Sequence, residues 1–157
     1  MVAGLKLDAI DKKILEILQK DGNITNSQLS KDIGLSPAPT LERVKKLEQS
    51  GIIEGYHAKL NQQVIGLGVT TFVLISLSSH KINQITRFVE KITSLDEVIE
   101  CHHITGSGDF LIKILIEDIA TYHKLILEKL SQIEEIGNMS SMIVLASHKS
   151  DAVIKVK

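Results

Sequence analysis

Residues 25–49 read TNSQLSKDIGLSPAPTLERVKKLEQ, two short helical stretches separated by Gly34. Ile24, Thr25, Gln28 and Leu29 have the spacing of a hydrophobic staple around a capping box, so a helix is expected to begin at Asn26. Leu29 and Ile33 make a one-turn apolar face, and Gly34 supplies a left-handed stop. Ser36 then offers an N-cap oxygen ahead of Pro37, whose missing N–H costs nothing at the first helical position. Pro39 still falls in the first turn and is tolerated there. The second helix is expected to run to about Gln49 and to stop at Ser50 and Gly51. This layout is a helix-turn-helix.

In the second helix the expected buried stripe is Leu41, Val44 and Leu47, with Pro39, Glu42, Arg43 and Lys46 sharing the other face. A helix that presents Thr40, Arg43, Lys45 and Lys46 outward suits the major groove of DNA. Arg43 is expected to read a base, because its planar fork matches the two acceptors of guanine. Ser36, Lys45 and Lys46 are expected on phosphates, which position a protein without reading sequence. The candidate DNA-contacting set is therefore Ser36, Pro39, Thr40, Arg43, Lys45 and Lys46. A solvated face with a Glu42–Lys46 pair would show the same letters, and helix-turn-helix shapes also occur where no DNA is bound.

The chain has 157 residues, enough for one large domain or two small ones, and 43% hydrophobic residues, which argues against disorder. Aromatic residues are only 3% and Trp is absent, which disfavours a stacking platform for single-stranded nucleic acid. Residues 1–60 carry nine cationic side chains against eight carboxylates, a net +1, and residues 61–157 a net −2. DNA binding must then depend on local clustering, since charges interact over a Debye length of about 8 Å. One copy would bind weakly, and several linked copies would supply affinity. A single cysteine, Cys101, rules out an intrachain disulfide framework and fits a reducing cytosol. With no signal-peptide pattern and no membrane-length apolar run, the expected location is cytoplasmic, with no membrane partner.

Upstream, Leu7, Ile10, Ile14, Ile17 and Leu18 repeat at helical spacing behind Asp8 as N-cap, giving a third helix to cover the pair. Downstream, Ile52 and Ile53 anchor the second helix, and residues 56–60 read as a short strand, a wing reduced to one extended segment. The glycine-containing stretch 61–68 marks a boundary, so residues 1–55 form a helix-turn-helix domain, 56–68 a hinge strand and connector, and 69–157 a second domain. There the strands are expected at 69–78, 97–105, 110–117 and about 139–146, with a short final strand at 153–156. Ile82, Ile85, Phe88, Val89 and Ile92 mark one helix, and Ile119, Tyr122, Ile126, Leu130 and Ile133 another. The fold class is α+β: a winged helix-turn-helix domain joined by a hinge strand to a ferredoxin-like βαββαβ domain. The helices cover one face of the sheet, and the apolar strands 69–78 and 110–117 leave the other to a second copy, which predicts a homodimer.

The segments LDAIDKKILEILQKDG, LSKDIGLSPAPTLERVKKLEQSGIIEGYHAKLN, IECHHITGSGDFLIK and the terminal VIK resemble the Lrp/AsnC family of feast/famine transcriptional regulators, over essentially the whole chain. The resemblance implies a sequence-specific regulator of transcription on double-stranded DNA. It also implies dimers joined through the C-terminal domain, often assembled into an octamer, and an amino-acid effector bound between those domains. The family's Gly-x-x-Asp effector loop falls on Gly106, Ser107, Gly108 and Asp109, with 137–141 arriving from a neighbouring subunit. Glycines let backbone N–H groups approach a ligand carboxylate, and Asp109 could accept from an ammonium group. Relatives commonly carry an acidic or aromatic residue where Ser107 and Gly108 stand, so a smaller, more flexible loop is expected here. Without the resemblance, GSGD reads as a β-turn with Asp109 as its cap.

Two other readings stand beside the regulator. One is an architectural DNA-wrapping protein with little sequence preference; the other is a small-molecule-binding or enzymatic ferredoxin-like protein whose N-terminal helices are only a dimerisation arm. No triad, carboxylate pair or phosphate loop is present in the pattern, so neither catalysis nor a cofactor is expected. Cys101 and His103 could converge on one strand face, but two ligands do not make a structural zinc site, and no metal is expected.

Overall fold

A carboxylate opens the first helix. The computed structural model describes residues 6–150 and 153–156. Asp8 caps α1 (Ala9–Leu18) by accepting from the Ile10 and Asp11 backbone N–H groups, and the Asp11 side chain accepts from the Asp8 N–H in return. Thr25 caps α2 (Asn26–Ile33), accepting from the Gln28 N–H at 3.2 Å, and Gly34 ends the helix at φ 77°. The Gln28 side chain donates to Asp32 and does not complete the expected box. Pro37 opens α3 (Pro37–Gln49) behind Ser36, whose hydroxyl makes no capping bond. Ile14, Leu15, Leu29, Ile33 and Leu47 form the core of this three-helix unit.

The chain divides into two units, one of residues up to Lys59 together with the segment from Lys149, the other Leu60–His148. Residues 153–156 form no strand. Instead the Gln19 side-chain amide accepts from the Ile154 N–H at 2.7 Å and donates to the Ile154 carbonyl at 3.1 Å, while Val156 packs against the helical core. One side chain thus replaces a strand partner, so this segment lies outside the domain to which its position in the sequence assigned it. The expected hinge strand at 56–60 is irregular, exposed backbone.

The second unit has the order β1 (Val69–Leu77), α4 (Ile82–Thr93), β2 (Val98–His103), β3 (Phe110–Ile116), α5 (Ile119–Glu128) and β4 (Ile136–Ile143), with a single 3₁₀ turn at Leu130–Gln132 before β4. The sheet runs β2-β3-β1-β4 with every neighbour antiparallel, the ferredoxin-like arrangement. β4 starts earlier than expected because Leu77 pairs with Ile136 across a register shift that leaves Gly137 unpaired. Strand alternation buries Val73, Ile75, Ile112 and Ile114 against Phe88, Ile92, Tyr122 and Leu125. On the opposite face Phe72, Leu74, Leu111 and Leu115 are half-buried and Met142 is exposed. That face is not wholly apolar: Lys113 lies 6.0 Å over the Phe72 ring and bonds Glu100 at 2.8 Å.

Candidate nucleic-acid interface and effector loop

The phase of α3 differs from expectation. Thr40 and Leu47 are 0% and 1% exposed, and Val44 and Arg43 are half-buried, so the inward line passes through Thr40. Thr40 qualifies for the core because its hydroxyl donates to the Ser36 carbonyl of its own helix at 2.9 Å. It leaves the DNA-contacting set. Leu41, about 100° further round, is 44% exposed and leaves the buried stripe. The outward face is Ala38, Glu42, Lys45 and Gln49, with Leu41 on one flank and Lys46 on the other, all exposed. Of the expected contacts, Ser36, Lys45 and Lys46 are exposed and Pro39 is half-buried. Sequence reasoning missed Asn26, whose side chain donates to the Pro37 carbonyl at 2.9 Å and ties the two helix starts together.

Arg43 turns away from this face toward α1. One guanidinium nitrogen donates to Asp8 Oδ2 and to Asp11 Oδ1, both at 2.7 Å, with the side chain 32% exposed. The Asp8 carboxyl is held below its usual range, first by the Asp11 backbone N–H and then by Arg43. The two carboxylates hold Arg43 in its charged form. The expected base reader therefore braces α3 against the cap of α1, because the box that starts α1 also concentrates two negative charges beside it.

In the loop, Gly106 adopts φ 129° with open space around it, and Gly106 and Ser107 are exposed. Gly108 is buried: a Cβ there would lie 2.7 Å from Leu74 Cγ and Cδ1 and 3.2 Å from the Ile75 carbonyl oxygen. The loop is thus pinned at Gly108, against the expected flexibility. The Asp109 N–H donates to the Ile75 carbonyl at 2.8 Å, and Asp109 Oδ2 accepts from the Leu77 N–H at 2.7 Å. His80 Nε2 lies 2.9 Å from Asp109 Oδ1, a partner that no spacing had suggested. Both carboxylate oxygens of Asp109 are therefore engaged within the chain, each with a further lone pair by which it could still accept from an ammonium group.

The Leu77 N–H, then His80, hold the Asp109 carboxyl below its usual range. A depressed folded-state value means that ionised Asp109 stabilises the fold above the ordinary carboxylate value of about 3.9, and that this is lost as pH falls through the lower folded value. We expect the denaturant midpoint of wild type to fall on acidification below about pH 4. In Asp109→Asn this share of the slope should be missing, and equal slopes in the two proteins would refute the assignment.

Cys101 packs half-buried beside the second core, its thiol pushed up by burial, and His103 stacks on Phe110 with centroids 4.6 Å apart. No group of three or more potential ligands among the described residues could hold a metal ion. No described helix is long and apolar enough to cross a membrane.

A three-helix unit with an exposed, partly cationic α3, followed by a ferredoxin-like unit with a glycine loop, has the layout of a two-domain DNA-binding protein. Residues 7–54 match the family model described as winged helix-turn-helix DNA-binding, and residues 70–154 that described as Lrp/AsnC ligand binding domain. The leucine-responsive regulatory proteins of Klebsiella pneumoniae and Escherichia coli K12 are each 38% identical over 98% of this chain and 94% of their own length. The solved L-Met complex of a transcriptional regulator from Neisseria meningitidis superposes with a TM-score of 0.91 at 31% identity, covering 95% of this chain and 96% of that one. Escherichia coli AsnC follows at TM-score 0.88 and 30% identity, covering 97% and 100%. This chain belongs to the Lrp/AsnC family of DNA-binding transcriptional regulators, whose members are not enzymes.

Proposed function

We propose that α3 docks in the major groove with Lys45 at the centre of its outward face, Ser36 and Lys46 on phosphates, and Pro39 near the backbone. Arg43 acts as a positioning residue that fixes the angle of α3 on α1. Residues 1–55 then form the DNA-binding part, 56–68 the connector, and 69–157, less the tail on Gln19, the effector-binding and oligomerising part. The half-buried Phe72, Leu74, Leu111 and Leu115 support a homodimer built on the open sheet face. Assembly of such dimers to an octamer would multiply weak single contacts. The proposed effector is an amino acid held at Gly106, Ser107, Gly108 and Asp109, with 137–141 of a neighbouring copy closing the site. L-methionine, bound to the Neisseria relative, is the first candidate to test. The protein acts in the cytoplasm.

The exposure of Lys45 and Lys46 on the side of α3 opposite its core carries this reading. In mobility shifts across a salt series, Lys46→Ala is expected to weaken all duplexes alike and to reduce the salt slope by about one. A specific site should bind at least about a thousandfold better than bulk DNA, which separates a regulator from a wrapping protein. An unchanged slope would remove Lys46 from the interface.

A further inference from the structure

A lone exposed leucine is ordinary on a protein surface and carries no message by itself. Leu41 stands in a place that gives it one. It is the fifth residue of α3, in the N-terminal half that a helix-turn-helix turns toward base edges, and it is 44% exposed. Its neighbours on the outward side are Ala38, Glu42 and Lys45. Glu42 would be repelled by a phosphate ridge, so the N-terminal part of this face belongs over the bases, with Ser36 and Lys46 reaching the backbone. The polar side chain expected there, Thr40, is buried with its hydroxyl bonded inside the helix. Arg43, the expected guanine reader, is bonded to Asp8 and Asp11.

An aliphatic side chain on a groove-facing helix has one feature to recognise. Among major-groove edges only thymine presents an apolar group, its C5-methyl. We propose that Leu41 is a specificity residue that selects thymine by packing on this methyl group. The proposal rests on the docking of α3 given above and adds which base it prefers and by which side chain. It also assigns to α3 a recognition by fit and dehydration, without the bidentate hydrogen bond expected of Arg43.

The test uses the full-length protein and a duplex selected by it from a random pool, then synthesised with thymine or with deoxyuridine, which lacks only the methyl group. Wild type is expected to bind the deoxyuridine duplex about fourfold more weakly for each methyl that Leu41 covers. Leu41→Ala should bind the thymine duplex more weakly and lose nothing further on deoxyuridine. Leu41→Met, which keeps an apolar side chain of similar volume, should retain the thymine preference. Equal binding of both duplexes by wild type overturns the proposal. So does a deoxyuridine penalty of the same size in wild type and in Leu41→Ala, since another side chain would then read the methyl. If the selection enriches no sequence at all, the docking of α3 fails as well, and that outcome is visible before any variant is made.

Discussion

Arg43→Ala is expected to weaken binding to every duplex by about tenfold, ~1.4 kcal/mol, while leaving the ratio of specific to nonspecific affinity unchanged. The reason lies in what the arginine touches. Its guanidinium holds Asp8 and Asp11 together at 2.7 Å each, and Asp11 is only 16% exposed at its side chain. Removing it leaves two facing carboxylates beside α3 with no counter-charge, so the helix loses its brace and the DNA meets extra negative charge. Both effects are blind to sequence. A base-reading arginine would behave differently, losing roughly 1–3 kcal/mol at the specific site and little elsewhere.

Two further variants separate these cases. Asp8→Asn keeps N-capping ability while deleting one charge, because asparagine caps about as well as aspartate. If Arg43 were a base reader held back by its partners, Asp8→Asn combined with Asp11→Asn would free it and tighten specific binding. If it is a brace, the double variant should leave the ratio of specific to nonspecific affinity unchanged, and lower the melting temperature of the helical unit. Arg43→Lys should recover only part of the loss, since an ammonium has no planar fork to span both carboxylates. A changed base preference in Arg43→Ala, read from binding-site selection, would return the residue to the groove.

These differences show which parts of the chain its letters determine. Helix starts and the Gly34 stop were legible because caps are local: Asp8, Thr25 and Gly34 act on groups within one turn. β1 and β3 were legible as apolar runs, and the alternating burial along them appears only once the helices cover one face. The rotation of α3 was not. It depends on whether a threonine can be buried, and Thr40 can because its hydroxyl finds the Ser36 carbonyl four residues back. Arg43 finds its partners 35 and 32 residues upstream, and Asp109 finds His80 at a distance of 29, separations at which no periodicity carries information. The tail was read as a strand, yet the backbone of Ile154 bonds the side-chain amide of Gln19, the residue that ends α1. In the candidate site, then, sequence assigned Thr40, Leu41 and Arg43 directions that their packing and long-range partners do not allow.

Gly108→Val is expected to destabilise the second unit by about 1–3 kcal/mol, the usual cost of overfilling a packed site, or roughly 5–20 °C in its melting temperature. The backbone does not forbid the change, since Gly108 is not among the glycines with positive φ; the obstacle is space. A Cβ would overlap Leu74 at Cγ, which lies too near the backbone to swing aside as a side-chain end could, and would press on the Ile75 carbonyl. Leu74→Ala combined with Gly108→Ala should therefore recover part of the loss suffered by Gly108→Ala alone, a coupling measurable by a double-mutant cycle. Gly106→Ala gives the contrast: nothing lies within 4 Å of its Cβ, so its cost comes from φ 129° alone. The same clash reaches function, because Leu74 belongs to the open sheet face, and displacing it disturbs the proposed dimer contact together with the loop. In a thermal-shift panel, an amino acid at 100 times its dissociation constant should stabilise wild type by about 2.7 kcal/mol and Gly108→Val much less. Equal shifts in both would place the effector elsewhere, and a Gly108→Val protein as stable as wild type would show that the loop yields where its packing says it cannot.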